Sequence, residues 1–408
     1  MYKILVSLMM LVSLQMYGGT ATKLNVSRMK VFVYLFGFVI LLSSCTSSKK
    51  EWENARASID FGQCESVGPF DVFSTSFVKL ETADDCLIAS VTQAEEYGGV
   101  FYLLDPFITR TVYAFDKQGK FIGTVGRKGK GPGEYVIPSS FFIDARLGAV
   151  CVIDVEQQKL MGYSLKDYRL AFEHKLPFSS MSMRFMDDGT AVLYNQEYKS
   201  DEPLYNLIVV DKDFKIKKRM MEQEFASGYK MGMTRKLYSV GNVVSAYTHQ
   251  SPFLCRVSSD TIMPVYEFKF GDYQLPPLDF LRKEGGNNRN YIPALRKSDY
   301  INYYEIYENE RMLCVPYYVD KTMFYGWYDK KRSKTYNYRL DEMTSSLKSG
   351  PFSTPIGTTS DGKFISLLST EQLMSMKENG MDFVKELEGL IKVSEKDDNP
   401  ILLLCKEK

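Results

Sequence analysis

Between residues 70 and 370 the chain alternates short apolar runs with polar breaks, and apolar positions at i, i+3, i+4, i+7 are nearly absent. "VFYLLD" (Val100 to Asp105) is followed by "TVYAFDKQGKFIGTVG" (Thr111 to Gly126). "AVCVID" and "KLMGYSLKDYRLAFEHKL" come next, then "TAVLYN" and "YNLIVVDKDFKIKKRM". Such runs, rich in Val, Ile, Tyr and Phe and bounded by Asp, Ser, Lys and Gly, read as β-strands. An apolar strand and a short gap precede a second strand that ends near Asp or Ser, turns through a polar pair and returns as a third. "FDKQGKF", "YSLKDYRLAF", "VDKDFKI" and "YDKKRSKTY" are one hairpin in four copies. The Asp or Ser can bond forward to the turn backbone, and Gly119 can supply a positive φ. The opening strands of these units begin near residues 101, 150, 190, 243, 312 and 364. Six units, recurring every roughly 40–50 residues with about four strands each, predict an all-β fold, a six-bladed β-propeller.

Two segments break the repeat. The first, residues 271–310, carries many tyrosines and charges and is too long for an ordinary connection. It reads either as a binding surface or as a packed lid. The second, residues 370–397, places Phe383, Leu387, Leu390 and Ile391 at helical spacing. It predicts a short amphipathic helix over Met381 to Val393, a C-terminal helical insertion before the closing strand "NPILLLC". "SFVKLE" (Ser76 to Glu81) is a strand with no room in the first unit, and "NPILLLC" has no unit after it. The two are expected to share one blade, because a propeller is stable when its ring has no open edge.

The N-terminus predicts export. "MKVFVYLFGFVILLSSC" (Met29 to Cys45) holds a Lys, an apolar run the length of a signal-peptide core, then small residues and a cysteine. A second apolar run, Ile4 to Leu14, precedes it, and translation is expected to start at Met29. The sequence divides into a signal segment (1–44), a lipidated polar tether (45–69) and the propeller (70–408). Leu42-Ser43-Ser44-Cys45 resembles the lipobox of bacterial lipoproteins, which implies acylation of Cys45. Acyl chains contribute about 0.8 kcal/mol per buried CH₂ and hold a protein on a membrane without a spanning helix. The membrane is thus the expected partner, and the cell envelope, at the outer membrane, the expected location. Cys151, Cys314 and Cys405 sit in apolar runs and read as free buried thiols.

"GRKGKGPGEY" (Gly126 to Tyr135) looks at first like a phosphate loop. A Walker loop, however, needs Lys and Ser or Thr after its last glycine, and Pro132 and Gly133 stand there. No helix is predicted after it, so the dinucleotide fingerprint fails too. It reads as the crossing from the rim of one blade to the axis of the next. The stretch "FDKQGKFIGTVGRKGKGPGEY" and the closing "DNP" before an apolar strand resemble the six-bladed β-propeller lipoproteins of Bacteroidota, with NHL-like repeats. That resemblance covers roughly residues 70–408 and implies fold more than activity.

Basic and acidic residues nearly balance, 51 against 50, so nothing marks a nucleic-acid binder. Two histidines, His174 and His249, are too few for a metal site built on imidazole. Asp105, Asp116, Asp144 and Asp154 lie at strand ends, where the repeat assigns them to turns. The functional expectation is therefore a non-catalytic, membrane-anchored module for ligand binding or protein interaction. The alternative is a hydrolase or lyase with a carboxylate or calcium site at the central channel. The candidate ligand contacts are Arg127, Lys128, Lys130 and Glu134 in the loop, with Arg289, Tyr291 and Arg296 in the insertion. Cations beside aromatic rings suit an anionic or sugar-like ligand. A membrane protein complex is the other candidate partner.

Overall fold

The computed structural model describes residues 57–195, 204–223, 236–248, 250–285, 288–350 and 352–408. His249 and Cys45 lie outside the described residues, as does the side chain of Arg289. Six antiparallel blades stand in chain order, each running from an inner strand outwards. Blade 1 comprises Gln93–Tyr97, Val100–Asp105, Thr111–Asp116 and Phe121–Thr124. Blade 2 runs from Pro138–Asp144 to Leu170–Lys175, and blade 3 from Ser180–Phe185 to Ile216–Glu222. Blade 4 runs from Leu237–Val240 to Ile262–Lys269. Blade 5 opens with Ile301–Tyr304 and Tyr307–Glu308, both paired to Met312–Val319. Blade 6 comprises Gly357–Thr358, Phe364–Leu368, Ile401–Glu407 and, outermost, Phe73–Lys79.

The strands expected to open each unit are in fact the second strands of the blades. Val100–Asp105 and Ala149–Asp154 are flanked on both edges and buried almost throughout, so they read as unbroken apolar runs. The inner strands line the axis and carry Gln93, Glu95, Glu96, Ser139, Ser140, Ser180 and Ser182, so apolar patterning passes over them.

Each joint between neighbouring inner strands carries a polar contact. Gln93 of blade 1 donates to the Phe141 carbonyl (2.5 Å) and accepts from the Phe141 N–H (3.2 Å), capping the open edge of blade 2. Ser139 of blade 2 reaches the Ser180 carbonyl of blade 3, and Arg184 of blade 3 donates to Ser239 of blade 4. Tyr238 of blade 4 donates to Glu308 of blade 5, and Asn309 of blade 5 donates to the Gly362 carbonyl of blade 6. At the last joint Gly357–Thr358 pairs in parallel with Ala94–Glu95 of blade 1. A Cβ on Gly357 would stand 1.6 Å from the Ala94 carbonyl oxygen, so only glycine allows that approach.

The ring closes as expected: Phe73–Lys79 pairs antiparallel with Ile401–Glu407 over seven residues, Phe73 opposite Glu407 and Lys79 opposite Ile401. The "DNP" motif belongs to this closure. Asn399 donates to the Glu81 and Cys86 carbonyls and accepts from the Ile88 N–H, while Asp398 pairs with Lys79 at 2.6 Å.

Part of the segment read as tether is structured. Ala57–Asp60 adds in parallel to Ile262–Lys269 as a fifth strand of blade 4. Phe61 is buried against Phe268, Phe270 and Tyr317. Next, Gln63 and Glu65 bond to Thr335 of blade 5, and the chain enters blade 6. A strap thus runs over the outer edges of blades 4, 5 and 6.

The C-terminal insertion holds two helices, Thr370–Glu378 and Lys385–Lys392, rather than one over 381–393. Asn379 and Gly380 (φ +84°) end the first. Leu387 and Ile391 are buried as their spacing predicts, and Phe383 packs into the same core from just ahead of the second helix. Cys151, Cys314 and Cys405 are free buried thiols.

Candidate functional site

Strand direction sorts the loops into two sets. Connections from an outermost strand to the next inner strand emerge at one end of the axis, and hairpins leaving the inner strands emerge at the other. The glycine loop (126–135) and the insertion (271–300) are both of the first kind, so they share an end. They are three joints apart in a ring of six, which sets them on opposite sides of it.

The glycine loop is knitted together internally. Glu134 accepts from the Gly131 N–H at 2.9 Å and pairs with Arg127 at 2.7 Å. The Gly131 N–H, the first cause, and then Arg127 hold the Glu134 carboxyl below its usual range. A Cβ on Gly129 would stand 2.0 Å from the Glu134 carboxylate, so a side chain there would displace that carboxylate. Tyr135 is buried and donates to the Val125 carbonyl, and Tyr163 donates to the Gly133 carbonyl. These bonds join blades 1 and 2. Lys128 and Lys130 are exposed, and Arg127 keeps 78% of its side chain accessible.

In the insertion, Leu278–Glu284 and Asn288–Arg296 form two short helices around Leu281, Tyr291 and Leu295. Tyr291 is therefore a core residue of the insertion, its ring against Phe280, and not an open ligand contact. Arg296 is exposed.

The strand-end aspartates do the turn work read from the sequence. Asp105 accepts from Phe107 and Ile108 of its own turn and from Ala89 and Ser90 of the incoming loop. Asp154 does the same for Glu156, Gln157, Val136 and Ile137. His174 packs between Phe172 and Phe214.

At the opposite end from the glycine loop, where the inner strands finish, a cavity of about 640 Å³ opens on the axis. All six blades reach it: Glu95, Glu96 and Tyr97 from the first, Phe142 to Arg146 from the second, Arg184 to Asp188 from the third. Blade 4 adds Ser239, Asn242, Ser258 and Ser259, blade 5 Glu310, and blade 6 Thr358 to Ser360. Arg184 is 5% exposed, lies 4.9 Å from the centroid of the Phe142 ring, and approaches Glu95 to 3.9 Å. Arg146 forks onto Asp144 (3.3 and 3.0 Å) and reaches Asp187 at 2.7 Å. Glu96 accepts from Ser360 N–H and Gly99 N–H. Hydrogen bonds from Ser259 and then Thr190 hold the Asp188 carboxyl down to about 2.

Sequence patterning does not point to this cavity because the mouth residues stand in no motif: they are scattered from position 95 to position 360. Asp144 is the one residue of the mouth already singled out, as a turn residue. Among the described residues no three His, Cys, Asp or Glu side chains are placed to share a metal ion.

A six-bladed ring with a mouth built from all its blades defines the class. The chain also matches, over residues 47–366, the family model DUF5128, described as a 6-bladed beta-propeller, and it belongs to that family. It is similar to the crystal structure of a protein from Bacteroides fragilis described as exported, with 35% identity and a TM-score of 0.80 over 86% of this chain and 100% of that one. A member of the duf4221 family from Bacteroides vulgatus shares the fold, at 11% identity and a TM-score of 0.51, over 83% of this chain and 99% of that one. No curated protein matches the chain significantly.

Proposed function

We propose that this protein is an exported, lipid-anchored binding module of the cell envelope that holds its ligand in the mouth of the propeller. The observation that carries the reading is the cavity: about 640 Å³, lined by all six blades, with polar groups converging on it. Ligand pockets of soluble proteins fall in the range of about 300–1,000 Å³ with a few converging polar groups. A rigid ring holds those groups, since each inner-strand joint is hydrogen-bonded, so binding costs little ordering. Export is supported by the signal-like segment and by the description of the similar Bacteroides fragilis protein. Acylation of Cys45 would leave eleven residues before Ala57, a reach of at most about 40 Å from the membrane.

Replacing Cys45 with Ser tests the anchor. The variant is expected in the soluble fraction and the parent chain in the membrane fraction. A variant that stays wholly on the membrane would refute acylation at Cys45.

A further inference from the structure

We infer that the mouth of the propeller takes a cationic ligand, an organic amine or guanidine. The inference rests on the binding-module reading above and names its ligand class. Among the described residues six carboxylates line the cavity, those of Glu95, Glu96, Asp144, Asp187, Asp188 and Glu310, against two arginines and no lysine or histidine. Both arginines are spent on neighbours. Arg146 sits on Asp144 and Asp187, and Arg184 faces Glu95 while donating to Ser239 and the Met183 carbonyl. Glu96, Asp188 and Glu310 remain. Glu96 is held by backbone N–H groups and a hydroxyl, which fix a carboxylate without cancelling its charge. Asp188 is held by Thr190 and Ser259 in the same way. Lys217 lies near Asp188 and Lys330 near Glu310, but neither lines the cavity, and Lys330 is spent on Glu308.

A concave, low-dielectric wall focuses such a field on the space it encloses. The remaining lining fits the same ligand. Tyr97, 40% exposed, also lines the cavity, and ammonium groups bind well over aromatic faces. Thr358 supplies a hydroxyl oxygen that accepts an N–H donor, while Ser239, Ser258 and Thr359 already accept from Arg184, Thr261 and Lys363. An anionic ligand would meet the opposite field, and the exposed basic groups of Arg127, Lys128 and Lys130 lie at the other end of the axis.

The test is calorimetric titration of the full-length protein in detergent with spermidine, and separately with citrate, at low and at raised salt. Spermidine is expected to bind at one saturable site and to weaken as salt rises. Glu310→Gln, at an exposed position that leaves folding alone, is expected to weaken it about fivefold, and Glu96→Gln by a similar factor. Spermidine affinity unchanged in both variants would place the amine elsewhere and overturn the inference. Citrate binding that Arg184→Met abolishes, without spermidine binding, would keep the mouth as a ligand site and overturn the cation assignment alone. Binding of neither probe would count against both.

Discussion

The Glu308 side chain has no exposed surface, and four donor bonds converge on it. Arg256 contributes two, at 2.8 and 2.7 Å, Lys330 one at 2.6 Å and Tyr238 one at 2.8 Å. Tyr238 and Arg256 belong to blade 4, Glu308 and Lys330 to blade 5, so this one carboxylate pins a joint of the ring. Burial alone would push the Glu308 carboxyl up, but the Arg256 and Lys330 bonds and charges outweigh it and hold it below its usual value. Its contribution to stability is therefore present above the unfolded carboxylate pKa, about 4.3. It fades as pH falls through the lower folded value. Glu308→Gln leaves two cations buried without their anion and is expected to cost about 3–5 kcal/mol at neutral pH. Denaturant unfolding at pH 7 and about pH 3 measures it: the deficit should shrink at the lower pH, and a deficit equal at both would remove the charge from the explanation.

Among the elements, the strap is held by two buried side chains, Ile59 and Phe61. Ala57–Asp60 is only four residues long, and a short edge strand holds weakly by itself. Phe61, 1% exposed and stacked on Phe268 and Tyr317, fastens it across blades 4 and 5. Phe61→Ala is expected to cost about 3–5 kcal/mol. It should also open the peptide between residues 57 and 68 to proteolysis before the ring unfolds; resistance equal to the parent would show that the strap holds without its anchor. This strap was hidden in the sequence because "ASIDFGQ" lies in a polar stretch with only two large apolar side chains, Ile59 and Phe61. The helices were hidden for a related reason. Leu278–Glu284, Asn288–Arg296 and Leu340–Leu347 span seven to nine residues, too few turns for a periodicity to stand out, and Pro293 breaks the second as a pattern. The hairpins were legible because each turn repeats one chemistry. Asp116 accepts from Gln118 and Lys120, Asp211 from Asp213 and Lys215, and Asp329 from Lys331 and Arg332.

At the scale of the whole molecule, blade count and closure were legible because both follow from repetition and from edges that must be paired. Removing residues 399–408 would strip blade 6 of its third strand and leave Phe73–Lys79 with no partner. Cooperative unfolding should be lost, and a melting transition like that of the parent chain would argue against closure through this blade. The mouth was not legible, because a cavity made by six inner strands exists only once the ring has formed. Glu95 and Thr358 are distant in the chain and yet paired across the joint of blades 6 and 1. The most direct measurement is a crystal structure of the protein grown with spermidine. The account predicts the amine on the axis at the mouth, within hydrogen-bonding distance of Glu96 or Glu310. An amine ordered at the glycine-loop end, or on the outer surface with the mouth empty, would contradict it.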